Sequence, residues 1–564
     1  MDRKAIGIKT TLVSSLRSKL RMSAKEEANE HKAGVGFVGS LILGLAAICV
    51  VTVSCVVTAA ADPIVLTEDG PLKGISRHGV DEFLGIPYAA PPVGALRWMP
   101  PRAHEHLHGL FAATQFGNQC IQSAGPGNTV GSEDCLFANV YTPNRPHSEG
   151  SKDHKNMPRK DGQWRGLPVM IWIHGASTDS SLFDPTPLVL KGRVIVVTIN
   201  YRTGILGFFA HPALDAEGHR NANYGLMDQQ FAFGWVKRNI SGFGGDPKRV
   251  TIFGVSLGGL SVYSNLASPT AAGLFQRAIA ESGSYADFAD YLTSIVPLAT
   301  AETTGTFFAT SVGCGNQTAS CLRGTSASTL VEAEPGSVYP IVDGIVLTQI
   351  PSAAFASGEF NRVPVISGTS HDEWRYFVAA QYDFAGNPLT AAEYLPAMEA
   401  LWTPGFGDFL AAAVYPLGNY PSAPIALGAS GTDGIFSCPA RHADQSLSKY
   451  VPAYTYEFSD ENAPAYPGFP AVSFPLGAYH GSEALYLFIV EGVTLTHDQQ
   501  QLSDTMIGYW SRFAANANPN FGGAPVWSAY DSQSDQFQSL IAPIPMVDSN
   551  YSADHLCTAL WDTF

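Results

Sequence analysis

Short runs of apolar residues, separated by polar and glycine-containing stretches, recur along the chain from residue 62 to the carboxyl terminus. Six of these runs have the length of strands and lack the alternation of a half-exposed sheet. They comprise residues 167–174, 193–201, 249–253, 277–282, 363–368 and 452–458. Strands that are apolar on both sides fit a sheet covered by helices on both faces, and helical patterns such as 225–240 lie between them. The pattern predicts a large α/β fold.

A strongly polar stretch, residues 145–166, interrupts this pattern. Strand-like runs occur directly on both sides of it, so we interpret it as a solvated surface connection and not as a linker between two domains. We find no internal repeat and no low-complexity linker past residue 61. The sequence therefore predicts one domain over residues 62–564.

The first 61 residues differ from the rest. Residues 33–61 carry no charged side chain and follow a basic region, residues 1–32. This order, with small residues up to Ala61, is typical of a secretory signal peptide, and Met22 is an alternative start. The uncharged run is also long enough to span a bilayer. We expect either a secreted or cell-envelope protein, or one that residues 33–61 anchor in a membrane.

Charge narrows the range of partners. The chain has 33 Lys and Arg against 49 Asp and Glu, and the first 61 residues hold eight of the former and four of the latter. Residues 62–564 therefore have a net charge of −20. Such a surface repels nucleic acid and anionic lipid. We expect no nucleic-acid partner and contact with a membrane only through the amino-terminal anchor, and the sequence leaves the oligomeric state open.

Six cysteines lie outside the amino-terminal segment. They are Cys120, Cys135, Cys314, Cys321, Cys438 and Cys557. An even number in an exported chain suggests disulfides, for which six cysteines allow fifteen pairings. Their spacing matches no zinc site, and the histidines of HEHLH, residues 104–108, are more typical of a solvated segment. The sequence predicts neither a metal nor a cofactor.

The stretch VTIFGVSLGG, residues 250–259, places a serine between two glycines where a run of β-forming residues ends. In a G-x-S-x-G sequence, Gly254 and Gly258 permit a tight strand-to-helix turn that presents the Ser256 hydroxyl above the sheet. The helix predicted after the turn directs its amino terminus at the same point, which favours negative charge there. Ser256 is therefore the candidate nucleophile.

A serine hydroxyl is a poor nucleophile unless a base takes its proton and a carboxylate holds that base. Asp372 and Glu373 follow the apolar run 363–368, and His480 lies further along the chain. The order Ser256, Glu373, His480 is the one expected of an α/β-hydrolase. Asp372 stays an alternative to Glu373, because a shift of one residue at a strand end changes which side chain faces the site.

Eight segments carry a wider resemblance, in the same order as in a known family. They are FLGIPYAAPPVGALRW (83–98), SEDCLFANVYTP (132–143), VMIWIHG (169–175), NYRTGILGFF (200–209), NYGLMDQQFAFGWVKRNISGFGGDPKRVTIFGVSLGG (223–259), LFQRAIAESGS (274–284), DEW (372–374) and YHGSE (479–483). Together they resemble the type-B carboxylesterase/lipase family over essentially all of residues 62–564. The resemblance implies an α/β-hydrolase fold, with a large, mostly parallel central sheet and helices on both faces.

The resemblance also implies a function and roles. The function is hydrolysis of small-molecule carboxylic esters through an acyl-enzyme, with lipase activity as an open possibility. Ser256 is similar to the family's acyl acceptor, His480 to its general base and then acid, and Glu373 to its orienting carboxylate. Three disulfides and two structural ion pairs are implied as well. They are Cys120–Cys135, Cys314–Cys321, Cys438–Cys557, Arg97 with Glu133, and Arg202 with Asp228.

The oxyanion loop departs from the family. Where the family has His-Gly-Gly-Gly-Phe, this chain has His174-Gly175-Ala176-Ser177-Thr178. We expect the oxyanion hole to use the backbone N–H groups of Ala176, Ser177 and Leu257, since backbone donors survive a change of side chain. Alanine and serine resist some backbone angles that glycine adopts, and their side chains narrow the site. Lower rates or a restricted acyl pocket are therefore expected.

Two hypotheses follow from this departure. The first is a serine esterase, supported by the joint presence of Ser256, Glu373 and His480. The alternative is a noncatalytic binding or adhesion protein on the same fold, with an impaired oxyanion loop. Choline esters are unexpected substrates, because Val255 stands where cholinesterases have a glutamate and residues 120–135 contain no aromatic ring for a quaternary ammonium.

Overall fold

A computed structural model describes residues 62–125, 127–144, 166–175, 179, 181–219, 222–285, 294–334, 336 and 338–564. The predicted leader or anchor, residues 33–61, lies outside the described residues, as does the basic region 1–32. In the part of the chain that is described, no helix is both long enough and apolar enough to cross a membrane.

An eleven-stranded sheet runs through the described part of the chain. Its strands are Ile75–Arg77 (β1), Val80–Pro87 (β2), Phe137–Pro143 (β3), Leu167–Ile173 (β4), Ile195–Ile199 (β5), Gly245–Val255 (β6), Arg277–Glu281 (β7), Val365–Ser370 (β8), Ala453–Phe458 (β9), Phe537–Leu540 (β10) and Met546–Asp548 (β11). The order across the sheet is β11-β10-β9-β8-β7-β6-β4-β5-β3-β2-β1. A separate small sheet consists of Ile64–Thr67, Gly70–Lys73 and Phe111–Ala112.

The centre of the large sheet is parallel and its margins are antiparallel. Strands β5, β4, β6, β7, β8, β9 and β10 pair in parallel, in that order. Strands β1, β2 and β3 at one side and β11 at the other pair antiparallel. All six strands expected from the apolar runs belong to this parallel centre, which confirms the predicted α/β class. In sequence, the polar stretch 145–166 lies between β3 and β4, two strands of the same sheet.

Helices connect the parallel strands. The helices that pack on the sheet or open at its carboxyl edge are Thr186–Gly192 (α1), Tyr224–Asn239 (α2), Leu257–Ala267 (α3), Pro351–Ser357 (α4), Glu373–Val378 (α5), Cys438–Leu447 (α6) and His497–Asn516 (α7). Further helices are Leu298–Ser311, Ala319–Gly324, Ala327–Glu332, Tyr394–Trp402 and Ala423–Gly431. The predicted helices 225–240 and 257–267 correspond to α2 and α3.

Two apolar cores lie on opposite faces of the sheet. On one face, alternate residues of β4, such as Ile171, pack against α2, α3, α4 and α6. On the other face, the intervening residues of β4, such as Trp172, pack against α1 and α7. Both faces are covered, which explains why the central strands are apolar without alternation. A third core joins the helices around 378–447 to the carboxyl-terminal residues.

Covalent and ionic links fasten the periphery of this fold. Cys120–Cys135, Cys314–Cys321 and Cys438–Cys557 form the three disulfides that the family resemblance implies. The two implied ion pairs are present as well: Arg97 Nε lies 2.6 Å from Glu133 Oε1, and Arg202 Nε lies 2.7 Å from Asp228 Oδ2. Both are largely buried parts of the scaffold.

Candidate active site

Ser256 occupies the single position between β6 and α3. Its backbone has φ 61° and ψ −124°, a conformation that residues other than glycine rarely adopt. The turn is held from both sides, because the Ser256 N–H donates to the Glu281 carbonyl at 2.9 Å and the Leu260 N–H donates to the Ser256 carbonyl at 2.9 Å. The strain therefore belongs to the turn that lifts this side chain above the sheet.

The glycines flanking Ser256 are required by space. A Cβ atom on Gly254 or on Gly258 would overlap the carbonyl oxygen of Ile173 at the end of β4. The turn can therefore pass this close to β4 only without side chains at both positions. This is the physical reason why the tight turn requires glycine at both positions of the G-x-S-x-G sequence.

The start of the expected oxyanion loop lies beside the same turn. A Cβ on Gly175 would come within 2.9 Å of the Val255 carbonyl and 3.4 Å of the Ser256 Cβ. His174 is fixed beneath it, since its carbonyl accepts from the Tyr201 hydroxyl at 2.7 Å and its ring stacks on that tyrosine at 4.4 Å. Burial lowers the pKa of His174 to about 4, so its imidazole is neutral.

Of the three expected oxyanion donors, only Leu257 lies within the described residues. Leu257 is the first residue of α3, and the first N–H groups of a helix have no carbonyl partner inside the helix. Ala176 and Ser177 lie outside the described residues. The amino terminus of α3 and the backbone of Gly175 thus both lie next to Ser256.

Glu373 and His480 come together at the carboxyl edge of the sheet. Glu373 opens α5 just after β8 and is fully buried. Its Oε1 accepts from the Ser370 N–H at 2.7 Å and from the Ser282 hydroxyl at 2.5 Å. Its Oε2 forms a short hydrogen bond with His480 Nδ1. The carboxylate is therefore oriented by two donors and directed at the imidazole.

The alternative acid, Asp372, points elsewhere. Its carboxylate lies 2.8 Å from Arg375 Nη2, 3.2 Å from His371 Nδ1 and 2.9 Å from the Ala478 N–H, which donates to it. Asp372 therefore fixes the chain segment that carries His480, while the residue after it contacts the imidazole.

Aromatic rings surround His480. Phe377 and Phe436 lie with their ring centroids 5.0 Å and 5.1 Å from the imidazole, and Tyr376 stacks on it at 6.3 Å. His480 Nε2 is buried and has no hydrogen-bond partner within the described part of the chain. Because Glu373 engages Nδ1, Nε2 is the nitrogen left to exchange a proton.

Two further carboxylates, for which the sequence pattern indicated no role, lie behind this pair. Glu483 is fully buried, 3.3 Å from the Ser282 hydroxyl and 3.2 Å from the Ser370 hydroxyl. Glu281, also fully buried, accepts from the Trp510 indole N–H at 2.7 Å. Both belong to segments that carried the family resemblance, YHGSE and AESGS. The short distance in sequence between His480 and Glu483 could have indicated that Glu483 lies near the site. It did not indicate that this carboxyl is buried.

Burial sets the protonation of these carboxyls. Burial and the nearby charge of Glu373 raise the pKa of Glu483 to about 7. Burial and the neighbouring Glu483 raise the pKa of Glu281 to about 8. Near neutral pH, Glu483 and Glu281 are therefore partly protonated. Their lower negative charge reduces repulsion and allows both to lie close to each other and to Glu373.

Comparison with known proteins agrees with this architecture. The sequence model of the Carboxylesterase family matches residues 61–557. Acylcarnitine hydrolase of Mus musculus is 34% identical over 526 residues, covering 86% of this chain and 88% of that protein. Para-nitrobenzyl esterase of Bacillus subtilis (strain 168) is 32% identical over 502 residues, covering 83% and 93%. A solved structure named PNB esterase superposes with a TM-score of 0.70 at 30% identity, covering 88% of this chain and 99% of that chain.

The sheet topology and the solved relative define an α/β-hydrolase, as predicted. The chain belongs to the carboxylesterase family, and the enzyme is a carboxylic ester hydrolase. The resemblance drawn from the sequence motifs is thereby confirmed. These relatives favour the hydrolase over the noncatalytic alternative.

Proposed function

We propose that this enzyme hydrolyses esters through an acyl-enzyme on Ser256, with His480 as general base and acid and Glu373 as the carboxylate that orients it. One observation carries the proposal. A buried carboxylate holds Nδ1 of a buried histidine whose Nε2 has no other partner in the described structure, at the edge of the sheet where the strained turn presents a serine. This is the arrangement that activates a hydroxyl.

In the first half of the reaction, Ser256 Oγ bonds to the ester carbonyl carbon while its proton passes to His480 Nε2. The bond to the alcohol oxygen then breaks, and the alcohol leaves with the proton from Nε2. In the second half, water attacks the acyl carbon and gives a proton to Nε2, and that proton returns to Oγ as the acid departs. Glu373 stabilises the imidazolium in both halves without taking its proton.

The tetrahedral oxyanion needs donors placed in advance. The Leu257 N–H at the start of α3 is one, and we assign the others to the backbone N–H groups of Ala176 and Ser177. Removing one such donor typically costs about 3 kcal/mol of transition-state stabilisation. The side chains that replace two family glycines narrow the space beside the carbonyl, which favours small or linear acyl groups over bulky ones.

The leaving alcohol is expected to lie against an apolar surface. His480 delivers the proton to the alcohol, so the alcohol lies on the side of the site where Phe377 and Tyr376 pack against the imidazole. Related enzymes are named for acylcarnitine, cocaine and para-nitrobenzyl esters, all small molecules. A small carboxylic ester is therefore the proposed substrate class, and no nucleic acid is involved.

The proposed setting is outside the cytoplasm. Three disulfides are typical of exported proteins, and the six cysteines that form them account for every cysteine past residue 61. We propose that residues 62–564 form the exported hydrolase domain, preceded by the basic region 1–32 and by residues 33–61 as leader or anchor.

The test is hydrolysis of p-nitrophenyl esters from acetate to palmitate by residues 62–564. Ser256→Ala removes the acyl acceptor, and we expect kcat to fall by a factor of about 10⁴ or more. Ser357→Ala, an exposed serine at the end of α4, is the matched control and should keep wild-type rates. Wild-type turnover by Ser256→Ala would overturn the proposal. The preferred chain length distinguishes esterase from lipase.

A further inference from the structure

The small three-stranded sheet that starts at Ile64 has an apolar face turned to solvent. Its other face packs on one of the main cores through Val65, Leu72 and Phe111. Because side chains alternate along a strand, the residues next to these three point away from the core. We call this solvent side of the sheet the outer face.

Three large aliphatic side chains stand on the outer face. Ile64 is 62% exposed, Leu66 is 74% exposed and Leu110 is 51% exposed. Ile64 and Leu66 alternate on one strand, and Leu110 directly precedes Phe111, which is paired with Leu72. Single exposed apolar residues are common on soluble proteins, whereas a group of them on one face marks an interaction surface.

The chain enters this sheet without slack. Asp62 pairs with Lys73 at 2.7 Å, and the Pro63 carbonyl accepts from the Gly74 N–H at 2.9 Å. Residue 62 is therefore already fixed on the domain, and the uncharged run 33–61 ends directly before it. Two residues of extended chain span about 7 Å at most, so a membrane that holds residue 61 lies next to Ile64.

The sequence before this point also gives the direction of insertion. The run 33–61 is long enough to cross a bilayer, and residues 1–32 carry eight Lys and Arg against four Asp and Glu. A basic flank stays on the cytoplasmic side, which places the hydrolase domain on the other side. This orientation agrees with the three disulfides of the domain.

We propose that residues 33–61 are retained as a membrane anchor and that the outer face rests on the bilayer beside it. Ile64, Leu66 and Leu110 enter the boundary between headgroups and acyl chains, where apolar side chains lie about 5–10 Å deep. The contact is apolar and not electrostatic, because the acidic domain repels anionic lipid. A surface of zwitterionic lipid is therefore the partner.

This contact turns the active site away from the membrane. The Glu68 N–H donates to Asn239 Oδ1 at 2.8 Å, and the Trp235 indole N–H donates to Asp69 at 3.1 Å. Both bonds fasten the sheet to the end of α2, which leads into the amino end of β6. Ser256 follows the carboxyl end of β6, eleven residues and roughly 30 Å away. Given the proposed role of Ser256, ester substrates arrive from water and not from the bilayer.

The experiment uses the full chain and needs no catalysis. Cys49→Ser and Cys55→Ser remove the cysteines outside the disulfides, and Leu66→Cys then carries one fluorophore. The protein is isolated from the membranes of the producing cells and placed in phosphatidylcholine nanodiscs, with or without a nitroxide on the headgroup. Ile489→Cys is the matched control. Ile489 is 49% exposed, and its N–H donates to the Asp184 carbonyl beyond the carboxyl end of β4.

We expect the nitroxide to quench the label at position 66 at least about threefold more strongly than the label at position 489. Intact mass should show residues 33–61 on the membrane-bound protein. Release of a chain that starts at residue 62 would overturn the proposal, as would equal quenching at the two positions. Shielding of the label at 66 from aqueous iodide that persists in detergent and falls on dilution would show that a second copy covers the face instead. An active Ser256→Ala would overturn the proposed function, on which the quenching ratio does not depend.

Discussion

At the scale of single residues, the site is defined by how its buried carboxylates are held. Glu373 receives two hydrogen bonds on Oε1 and presents Oε2 to His480, whereas Asp372 is engaged by Arg375 and His371. The sequence placed both acids at the end of one strand, but the choice between them depends on which donors surround each carboxylate. Two of those donors, the Ser282 hydroxyl just after β7 and the Ala478 N–H just before His480, are distant in sequence from the two acids.

Glu483 should make the stability of the enzyme depend on pH. Its raised pKa, about 7, means that the folded state favours the protonated form more than the unfolded state does. Its contribution to the free energy of unfolding is complete below the ordinary glutamate pKa and declines as pH rises to about 7, by roughly 3 kcal/mol. Glu483→Gln, which cannot ionise, should lose this decline and be more stable than wild type at pH 8.

Denaturant unfolding between pH 5 and pH 8 measures this difference. Glu461→Gln, an exposed glutamate, serves as the control and should follow the wild-type profile. A Glu483→Gln variant whose stability falls with pH as steeply as the wild type would show that this carboxyl does not cause the decline.

At the scale of elements, the junction of β6, Ser256 and α3 packs against the end of β4. The sequence predicted this strand, turn and helix correctly, because the glycine spacing, the apolar run and the helical pattern agree locally. It did not predict the last two strands of the sheet, β10 and β11. Strand β10 reads FQSL and β11 reads MVD, and both are too short and too polar to be distinguished from a connecting loop.

Gly258→Ala tests the packing of this junction. The new Cβ would overlap the Ile173 carbonyl, so β4 and α3 must separate or the turn must change shape. We expect activity to fall at least about a hundredfold, because a displacement near 1 Å at a reacting group has that effect. We also expect a loss of stability of about 2–4 kcal/mol.

The two effects are read from kcat/KM and from denaturant unfolding of the same preparation. Gly418→Ala is the matched control, since a Cβ there meets no atom within 4 Å and the change should leave both quantities as in wild type. Full activity in Gly258→Ala would mean that the close approach to β4 is not required.

At the scale of the whole molecule, the family motifs predicted more of the structure than the pattern of apolar runs did. Apolar runs predicted the α/β class and six central strands, and the motifs indicated the pairing of all six cysteines. The burial of Glu281 and Glu483 behind the site could not be predicted from the sequence. It depends on how several elements meet, and glutamate is more often exposed.

The two disulfides that close loops of different size should differ in their effect on stability. Cys438–Cys557 spans 119 residues and joins α6 to the carboxyl-terminal segment, whereas Cys314–Cys321 spans seven. The chain-entropy relation gives about 5 kcal/mol for the long loop and about 2 kcal/mol for the short one. Replacing both cysteines of the long loop by serine should therefore destabilise the enzyme more than the same change in the short loop.

The half-life of esterase activity at a fixed raised temperature is a suitable measurement, because large disulfide-bonded proteins commonly unfold irreversibly. Equal half-lives for the two double variants would indicate that restraint of the unfolded chain does not control the stability of this molecule.

Ser256, Glu373 and the segment bearing His480 follow β6, β8 and β9, three parallel strands that meet only when the centre of the sheet is complete. Under the proposed mechanism, a fragment of the chain that ends before His480 cannot turn over substrate. During refolding, far-UV circular dichroism would recover as helices and strands form, whereas hydrolysis would return only after the sheet has closed from β4 to β9. The recovery of catalytic activity therefore reports when the centre of the sheet has completed folding.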